Sequence, residues 1–227
     1  MKSKICVALA AENHSEMIEQ IGRAEDLGAD LIEVRFDFMY EVGDVRDLVT
    51  SSSLPLIATN RLKEQGGKRE IKEEERVRVL LDAAEGGFDY VDLELTMPSL
   101  SSTVKQVKEL GAKVIISYHN FEETPPLSSL KETIDRMVRA GADICKLITM
   151  AKRVSDNITC FNLIREELSR TRIVCFAMSE LGVLSRVLSP LIGSEFTYAS
   201  IRPKRETAPG QLTIQELREI YSSIGLE

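Results

Sequence analysis

A lysine interrupts an otherwise apolar segment in the second half of the chain. Lys146 lies within ADICKLIT, flanked by Cys145 and Leu147. Lysine is rarely buried, and an amine in an apolar pocket loses its proton more readily, which makes it a nucleophile able to form a Schiff base with a ketone. The alternative is a structural lysine that ends the strand and reaches solvent, or that pairs with Glu33 or Glu94.

A histidine lies at another strand end. His119 closes KVIISYH and opens a loop that contains Asn120, and the chain has only 2 histidines. Imidazole near its ordinary pKa can accept a proton and later return it, so His119 is a candidate general acid and base. A solvated loop histidine is the alternative. The other histidine, His14, lies at the start of the first predicted helix and is expected only to cap it or to face water.

Charged residues share one face of the segment LIEVRFD. Glu33 and Arg35 are two positions apart, so they point to the same side of a strand, and Asp37 lies on that side at the strand end. An ion pair at this place is compatible with a structural plug. Burying charges is costly unless geometry and hydrogen bonding are good, and the arrangement therefore favours a functional reason.

Two further arginines and two acids extend this candidate set. Arg61 ends the third predicted strand, and Arg186 lies near the start of LGVLSRVLSPL. Either guanidinium can clamp a carboxylate, with a surface ion pair as the ordinary alternative. Asp92 and Glu94 share a face of the fourth strand, where they are expected either inside a barrel or in the wall of a site.

Alternating strands and helices must position these side chains. Short β-branched segments predict eight strands, at 3–9, 31–37, 54–60, 90–95, 113–118, 143–149, 172–178 and 196–200. Apolar residues spaced three and four apart predict helices at 15–28, 68–85, 101–110, 127–140, 155–169, 180–192 and 213–224. Eight strands alternating with helices in 227 residues most simply form one (β/α)8 barrel domain, residues 1–227. A doubly wound open sheet is the alternative, but its Gly-x-Gly-x-x-Gly loop is absent.

The most loop-like stretches follow strand ends. They cover residues 60–70, 119–126 and 201–212. Barrels carry their active sites on the face where strands end, so these loops are expected to surround the site.

Composition excludes several classes of protein. The chain is 43% hydrophobic and carries a net charge of -7, so binding of nucleic acid is not expected, because it usually needs a basic surface. No apolar run approaches the length of about 20 residues that a membrane helix needs. None of the 4 cysteines forms a C-x-x-C pair, which fits reduced thiols in a cytoplasmic protein. With 2 histidines and no ligand spacing, no metal site is expected.

The motifs together resemble those of the type I 3-dehydroquinate dehydratase family, the Schiff-base class of the shikimate pathway. The resemblance covers nearly the whole chain. It is carried by EVRFD at 33–37, TNR…GG at 59–67, ISYHNFEETP at 116–125, ADICKL at 142–147, FAMSELGVLSRVL at 176–188 and TAPGQ at 207–211. Each motif alone is weak, but six in the same order with barrel spacing are specific. The resemblance implies a (β/α)8 barrel, an enzyme that needs no metal or cofactor, and a homodimer.

The resemblance also implies chemical roles. Lys146 matches the lysine that forms an imine with the substrate ketone, and His119 matches the histidine that shuttles protons. Arg186 matches the arginine that binds the substrate carboxylate. The substrate would then be 3-dehydroquinate, and the products 3-dehydroshikimate and water.

The remaining matches surround this centre. Glu33 and Arg35 match a Glu-x-Arg pair that binds substrate hydroxyls. Arg61 matches an arginine near the substrate, and Met178 matches a methionine that packs near the lysine.

Two positions depart from the family pattern. Gln211 matches the glutamine of a loop that closes over the substrate, but Thr207 stands where many members have serine, and the hydroxyl is kept. Gln65 stands where many members have a glutamate that orients the histidine. Either Gln65 or the neighbouring Glu64 is expected to support His119.

Two other functions remain open at this point. A different Schiff-base barrel enzyme, such as a class I aldolase, would also use a buried lysine. Aldolases that act on sugar phosphates usually need a phosphate cradle near strands seven and eight, and IRPKRETAPGQ is basic but not rich in glycine. A non-catalytic barrel that binds a small carboxylate would keep the arginines but would not need Lys146.

Overall fold

The computed structural model of the protein describes residues 3–225. The strands are β1 (Ile5–Leu9), β2 (Leu31–Arg35), β3 (Leu56–Thr59), β4 (Tyr90–Glu94), β5 (Lys113–His119), β6 (Ile144–Met150), β7 (Ile173–Met178) and β8 (Thr197–Ala199). The helices are α1 (His14–Asp26), α2 (Val45–Thr50), α3 (Glu73–Gly86), α4 (Leu100–Glu109), α5 (Leu127–Arg139), α6 (Asp156–Glu167), α7 (Val183–Ile192) and α8 (Ile214–Ser223).

The strands form one parallel sheet that curls into a nearly closed barrel. The spatial order is β7-β6-β5-β4-β3-β2-β1-β8, so the first strand pairs with both the second and the last. The backbone N–H of Glu195, just before β8, donates to the carbonyl of Ile173 at the start of β7 at 2.8 Å. The predicted (β/α)8 barrel is thereby confirmed, and the doubly wound alternative is wrong because the strand order follows the chain.

Alternation along each strand separates two apolar clusters. Side chains facing outward pack under the helices in the larger cluster. Side chains facing inward fill the barrel in a smaller cluster that includes Leu31, Ile57, Ile115, Val174 and Phe196. The apolar filling lies toward one end of the barrel, which leaves the carboxyl ends of the strands for polar groups.

The structure adds one helix to those predicted and shortens several elements. The short helix α2 begins after Asp44, whose side chain accepts a hydrogen bond from the Arg46 backbone. It buries only Val45 and Leu48, too few apolar positions to give a periodic signal. The predicted strand 31–37 ends at Arg35, because residues Phe36–Phe38 form a 3-10 turn.

Three other expectations concern the chain as a whole. The predicted domain, 1–227, includes residues 1–2 and 226–227, which lie outside the described residues. Across residues 3–225, no helix is long and apolar enough to cross a membrane. All 4 cysteines are free and buried.

Candidate active site

Four polar side chains form a layer inside the barrel. Alternate strands contribute them: Glu33 from β2, Asp92 from β4, Lys146 from β6 and Tyr198 from β8, which is how barrel interiors are usually layered. The Lys146 Nζ donates to Glu33 Oε1 at 3.1 Å, to Asp92 Oδ2 at 3.0 Å and to the Tyr198 hydroxyl at 2.9 Å. We call these four residues the polar layer.

The surroundings of Lys146 differ from the apolar pocket that the sequence suggested. Only 4% of the residue is exposed, but two carboxylates pair with it, so the expectation of an apolar pocket is wrong. Of the two partners proposed from sequence, Glu33 pairs with it and Glu94 does not. Glu94 instead pairs with Arg76 at 2.8 Å, because Arg76 reaches it from helix α3.

Arg61 lies in the loop two residues after β3, not at the strand end that the sequence predicts, and it fixes Asp92 on the neighbouring strand β4. Its Nη2 lies 2.8 Å from Asp92 Oδ2, and its Nη1 donates to the Ser117 hydroxyl. Burial alone would raise the pKa of Asp92, but the positive charges of Arg61 and Lys146 hold that pKa well below its usual range. The guanidinium of Arg61 is therefore already occupied by a carboxylate, although it lines the pocket.

Arg35 does not pair with Glu33, although both side chains lie on the same face of β2. Its guanidinium binds both carboxylate oxygens of Asp37 at 2.8 Å and donates to the Gly66 carbonyl at 3.2 Å. Asp37 also accepts the backbone N–H of Lys68 at 2.9 Å. The Arg35–Asp37 pair thus holds the loop after β3 against the end of β2. This is a structural role, as the sequence analysis allowed for an ion pair at this place.

His119 is the last residue of β5 and lines the same pocket. Its ring stacks on Phe121, with centroids 5.9 Å apart, and within residues 3–225 its buried Nδ1 has no hydrogen-bond partner. Burial, followed by the positive charges of Arg61 and Lys146, holds the pKa of His119 well below its usual 6.5. The imidazole is therefore neutral near pH 7 and able to accept a proton.

Gln65, and not Glu64, contacts His119. The Gln65 Oε1 accepts the backbone N–H of His119 at 2.9 Å, so the contact orients the main chain and not the imidazole. Both residues lie in the 3-10 turn Lys63–Gln65, where adjacent side chains point apart. Glu64 is exposed and lies outside the pocket.

Arg186 is a buried cation with an unusual lack of counter-charge. It is 1% exposed and lies near the start of α7, and no carboxylate of the described chain lies within ion-pairing distance of it. Its Nη2 donates to the Pro209 carbonyl at 3.2 Å, and its guanidinium lies 4.3 Å from the Phe176 ring centroid. Burial lowers the pKa of Arg186 to about 9. It remains charged near pH 7 and is available to an anion.

The loop between β8 and α8 covers one side of the pocket. Gln211 Oε1 accepts from both the backbone N–H and the hydroxyl of Thr207, at 2.7 and 3.2 Å. The Pro209 carbonyl accepts the N–H of Ser179 at 3.3 Å. The loop is thus tied both to itself and to the end of β7.

The structure brings nearly all predicted site residues into one pocket at the carboxyl ends of the strands. Of the residues matched to the family motifs, all except Glu64 line it: Glu33, Arg35, Arg61, Gln65, His119, Lys146, Met178, Arg186, Thr207 and Gln211. The acids Asp37, Asp92 and Glu94 do not line the pocket and instead pair with basic residues inside the barrel.

The lining residues that the sequence did not single out include Phe121, Phe176 and Tyr198. Phe176 and Tyr198 lie within apolar strands, where an aromatic residue predicts core packing. Phe121 lies in the loop after β5 beside His119, which is the only sequence signal that links it to the site.

The donor set of the pocket does not suggest a metal. In the part of the chain described, no group of three or more histidine, cysteine, aspartate or glutamate side chains is arranged to hold a metal ion. The expectation of an enzyme without metal or cofactor stays a prediction.

The fold and the pocket define a class, the (β/α)8-barrel enzymes with a lysine inside the barrel at the carboxyl ends of the strands. Residues 5–227 match the model of the type I 3-dehydroquinase family. The chain belongs to this family and is an enzyme of its hydro-lyase type.

Individual relatives agree with this assignment. A 3-dehydroquinate dehydratase of Dehalococcoides mccartyi is 39% identical over 215 residues, covering 93% of this chain and 95% of the relative. One from Methanothermobacter thermautotrophicus is 37% identical over 226 residues, covering 99% and 98%. A crystal structure of the Clostridium difficile type I enzyme has a TM-score of 0.88 at 27% identity, covering 98% of this chain and 92% of that one.

Proposed function

We propose that this protein dehydrates 3-dehydroquinate to 3-dehydroshikimate and water through an imine on Lys146. The observation that carries the proposal is a buried amine that borders one pocket together with a neutral histidine and an unpaired arginine. These are the three groups needed to bind a carboxylate, activate a ketone and move a proton.

Arg186 would bind the substrate carboxylate. It already carries the charge and lies in a dry environment, where a charge-assisted pair is strong. Anchoring the carboxylate would fix the ring so that its ketone faces the polar layer, which turns binding energy into orientation.

Lys146 would attack the ketone as the neutral amine. Its ammonium first passes a proton to Glu33, because Asp92 is held as a carboxylate by Arg61. A C–N bond then forms at the ketone carbon as the C=O bond breaks. The carbonyl oxygen leaves as water with one proton from the amine nitrogen and one returned by Glu33. The resulting protonated imine withdraws electrons and acidifies the neighbouring C–H bond.

His119 would serve both proton transfers of the elimination. The neutral imidazole removes the proton next to the imine carbon, and the electron pair moves to form an enamine. The imidazolium then protonates the hydroxyl one carbon further on, which leaves as water while a C=C bond forms. Hydrolysis of the imine releases the product and restores Lys146.

The loop that carries Thr207 and Gln211 would exclude water during the imine stage. Both side chains line the pocket, and their mutual hydrogen bonds hold the loop in one shape over it. Exclusion of water would prevent early hydrolysis of the imine.

Borohydride trapping tests the proposal. The protein is mixed with 3-dehydroquinate, reduced with borohydride and digested, and we expect a stable adduct on the peptide that contains Lys146. Lys146→Met, which keeps an unbranched side chain, should form no adduct and should lose turnover by at least about a thousandfold. Product formation without an adduct would contradict the imine, and neither product nor adduct from a folded protein would contradict the substrate.

We also propose a homodimer formed through helices α6 and α7. Their exposed apolar side chains, with those next to them, define the α6–α7 face: Val154, Ile158, Leu168, Leu181, Leu184, Leu191 and Ile192. The only charged residue within α7 is Arg186, which is buried. Two copies with a net charge of -7 each repel one another less across a face whose α7 part has no exposed charge.

A cytoplasmic location stays a prediction. Four free, buried cysteines support it, because reduced thiols are typical of reducing compartments.

A further inference from the structure

We propose that Tyr198 is a positioning residue for the Lys146 amine, acting through its hydroxyl. The inference rests on the proposed function, because it assigns Tyr198 a part in the same imine chemistry. It concerns a residue in an apolar strand whose ring alone would explain its presence as core packing.

The contacts of Tyr198 place its hydroxyl between two polar groups of the layer. The hydroxyl oxygen accepts a hydrogen bond from Lys146 Nζ at 2.9 Å, and the hydroxyl donates to Glu33 Oε1 at 3.0 Å. Lys146 also donates directly to the same Glu33 oxygen at 3.1 Å. The three polar atoms form a closed triangle that fixes the position of the nitrogen relative to the carboxylate.

Aromatic neighbours hold the ring that carries this hydroxyl. Tyr198 is 4% exposed and packs edge-on against Phe196 and Phe176, with centroids 5.5 and 6.4 Å away. Its hydroxyl therefore approaches Lys146 from a fixed direction. A hydroxyl on a mobile side chain would not position the amine in this way.

A hydroxyl can form a hydrogen bond with both the charged and the neutral lysine, whereas an ionised carboxylate can only accept one from an N–H group. An ammonium has three N–H groups, and the three acceptors of the polar layer satisfy all of them. The neutral amine has two N–H groups and a lone pair, and the Asp92 carboxylate, which stays ionised, would repel that lone pair if it faced it. A hydroxyl can accept from an N–H or donate to a lone pair, so Tyr198 can stay in contact while the proton leaves and the imine forms.

The hydroxyl remains protonated throughout. Burial, followed by the negative charge of Glu33, holds the pKa of Tyr198 well above its usual value of 10. The phenol is therefore a neutral dipole beside Lys146 and does not replace Glu33 as the acceptor of the lysine proton.

The test compares Tyr198→Phe with a matched control. Tyr198→Phe keeps the ring and removes only the hydroxyl. Tyr221→Phe removes another buried hydroxyl, which donates to the Val187 carbonyl at 2.8 Å under helix α8, outside the pocket. Tyr198→Phe loses two buried hydrogen bonds and Tyr221→Phe loses one. The midpoint of thermal unfolding should therefore fall in both variants, and in Tyr198→Phe by at least as much as in Tyr221→Phe.

Three quantities are measured: kcat, KM, and the rate at which the adduct trapped by borohydride forms at saturating 3-dehydroquinate. For Tyr198→Phe we expect adduct formation and kcat to fall about tenfold or more, with KM changed less than about threefold, because orientation at the reacting atom is lost while carboxylate binding is kept. Tyr221→Phe should stay within about twofold of the wild type in all three, because its hydroxyl lies outside the pocket.

Each outcome has one meaning. Wild-type rates in a folded Tyr198→Phe would overturn the positioning role, as would an equal loss in Tyr221→Phe. A second variant, Tyr198→Met, removes ring and hydroxyl together. If only Tyr198→Met were slow, the ring and not the hydroxyl would be what matters. If the wild type itself formed no adduct, the imine on Lys146 would be wrong, and the positioning role of Tyr198 in forming it would be overturned as well.

Discussion

Arg186 and Arg61 are both buried arginines of the pocket, but only Arg61 has a carboxylate partner, so the two residues affect the stability of the protein in opposite ways. Arg61 neutralises Asp92 at 2.8 Å, and removing it would leave a carboxylate unpaired inside the barrel. Arg186 has a carbonyl and an aromatic face for partners and no counter-charge in residues 3–225. A cation buried in this way lowers the stability of the empty protein and is retained for what it binds.

Arg186→Met should therefore stabilise the empty protein and weaken substrate binding. We expect the free energy of unfolding in urea to rise by about 1–2 kcal/mol, because an uncompensated buried charge is removed. KM for 3-dehydroquinate should rise by at least about tenfold, because a charge-assisted hydrogen bond to the carboxylate is lost.

The matched control for Arg186→Met is Arg61→Met. It breaks a buried ion pair and should lower the free energy of unfolding by about 3–5 kcal/mol. If Arg186→Met also lowered the free energy of unfolding of the empty protein, the main role of Arg186 would be packing, which would contradict the prediction. If KM did not change, another group would bind the carboxylate.

At the scale of elements, the loop between β8 and α8 meets the end of β7 at a glycine. Gly210 has a φ of +71°, and a Cβ there would lie 2.4 Å from the Ser179 carbonyl oxygen. Only a residue without a side chain allows this close approach, which places Pro209 against both Ser179 and Arg186.

Gly210→Ala should separate the loop from the barrel and leave the rest of the fold in place. We expect KM to rise several-fold, because the loop no longer closes one side of the pocket. The control is Gly111→Ala, at a φ of +91° with nothing within 4 Å of the added Cβ. Both variants should lose about 1 kcal/mol of stability from the left-handed backbone, so equal KM values would contradict a role for the loop contact.

The same scale explains what could be predicted from sequence. Strands that are buried on both faces have continuous apolar sequences, so all eight could be predicted. Lys146 and Glu33 could be predicted as site residues because they are polar exceptions within those sequences. Of the partners of Lys146, Glu33 was predicted but the partner on β4 was not. Asp92 and Glu94 share a face of β4, and only the stagger of the strands in three dimensions decides which one reaches Lys146. Tyr198 was missed because a tyrosine in a strand has the same sequence signal as core packing.

At the scale of the whole molecule, charge is distributed in an unusual way. The barrel interior holds buried ion pairs that involve Arg35, Arg61 and Lys146, whereas helix α7 presents no charged side chain on the surface. Surface helices usually carry a polar outer stripe. The α6–α7 face therefore resembles the core of an interface more than an ordinary outer layer of a barrel.

Leu184→Glu should convert the proposed dimer into a monomer. Leu184 is 51% exposed on α7, and a glutamate there would bring like charges together across a two-fold axis and bury them. Sedimentation velocity at micromolar concentration should give twice the mass of the chain for the wild type and the mass of one chain for the variant. Leu110→Glu is the control, because Leu110 is 41% exposed after α4 and outside this face. A monomeric wild type would contradict the dimer, and a variant that stays dimeric would move the interface to another surface.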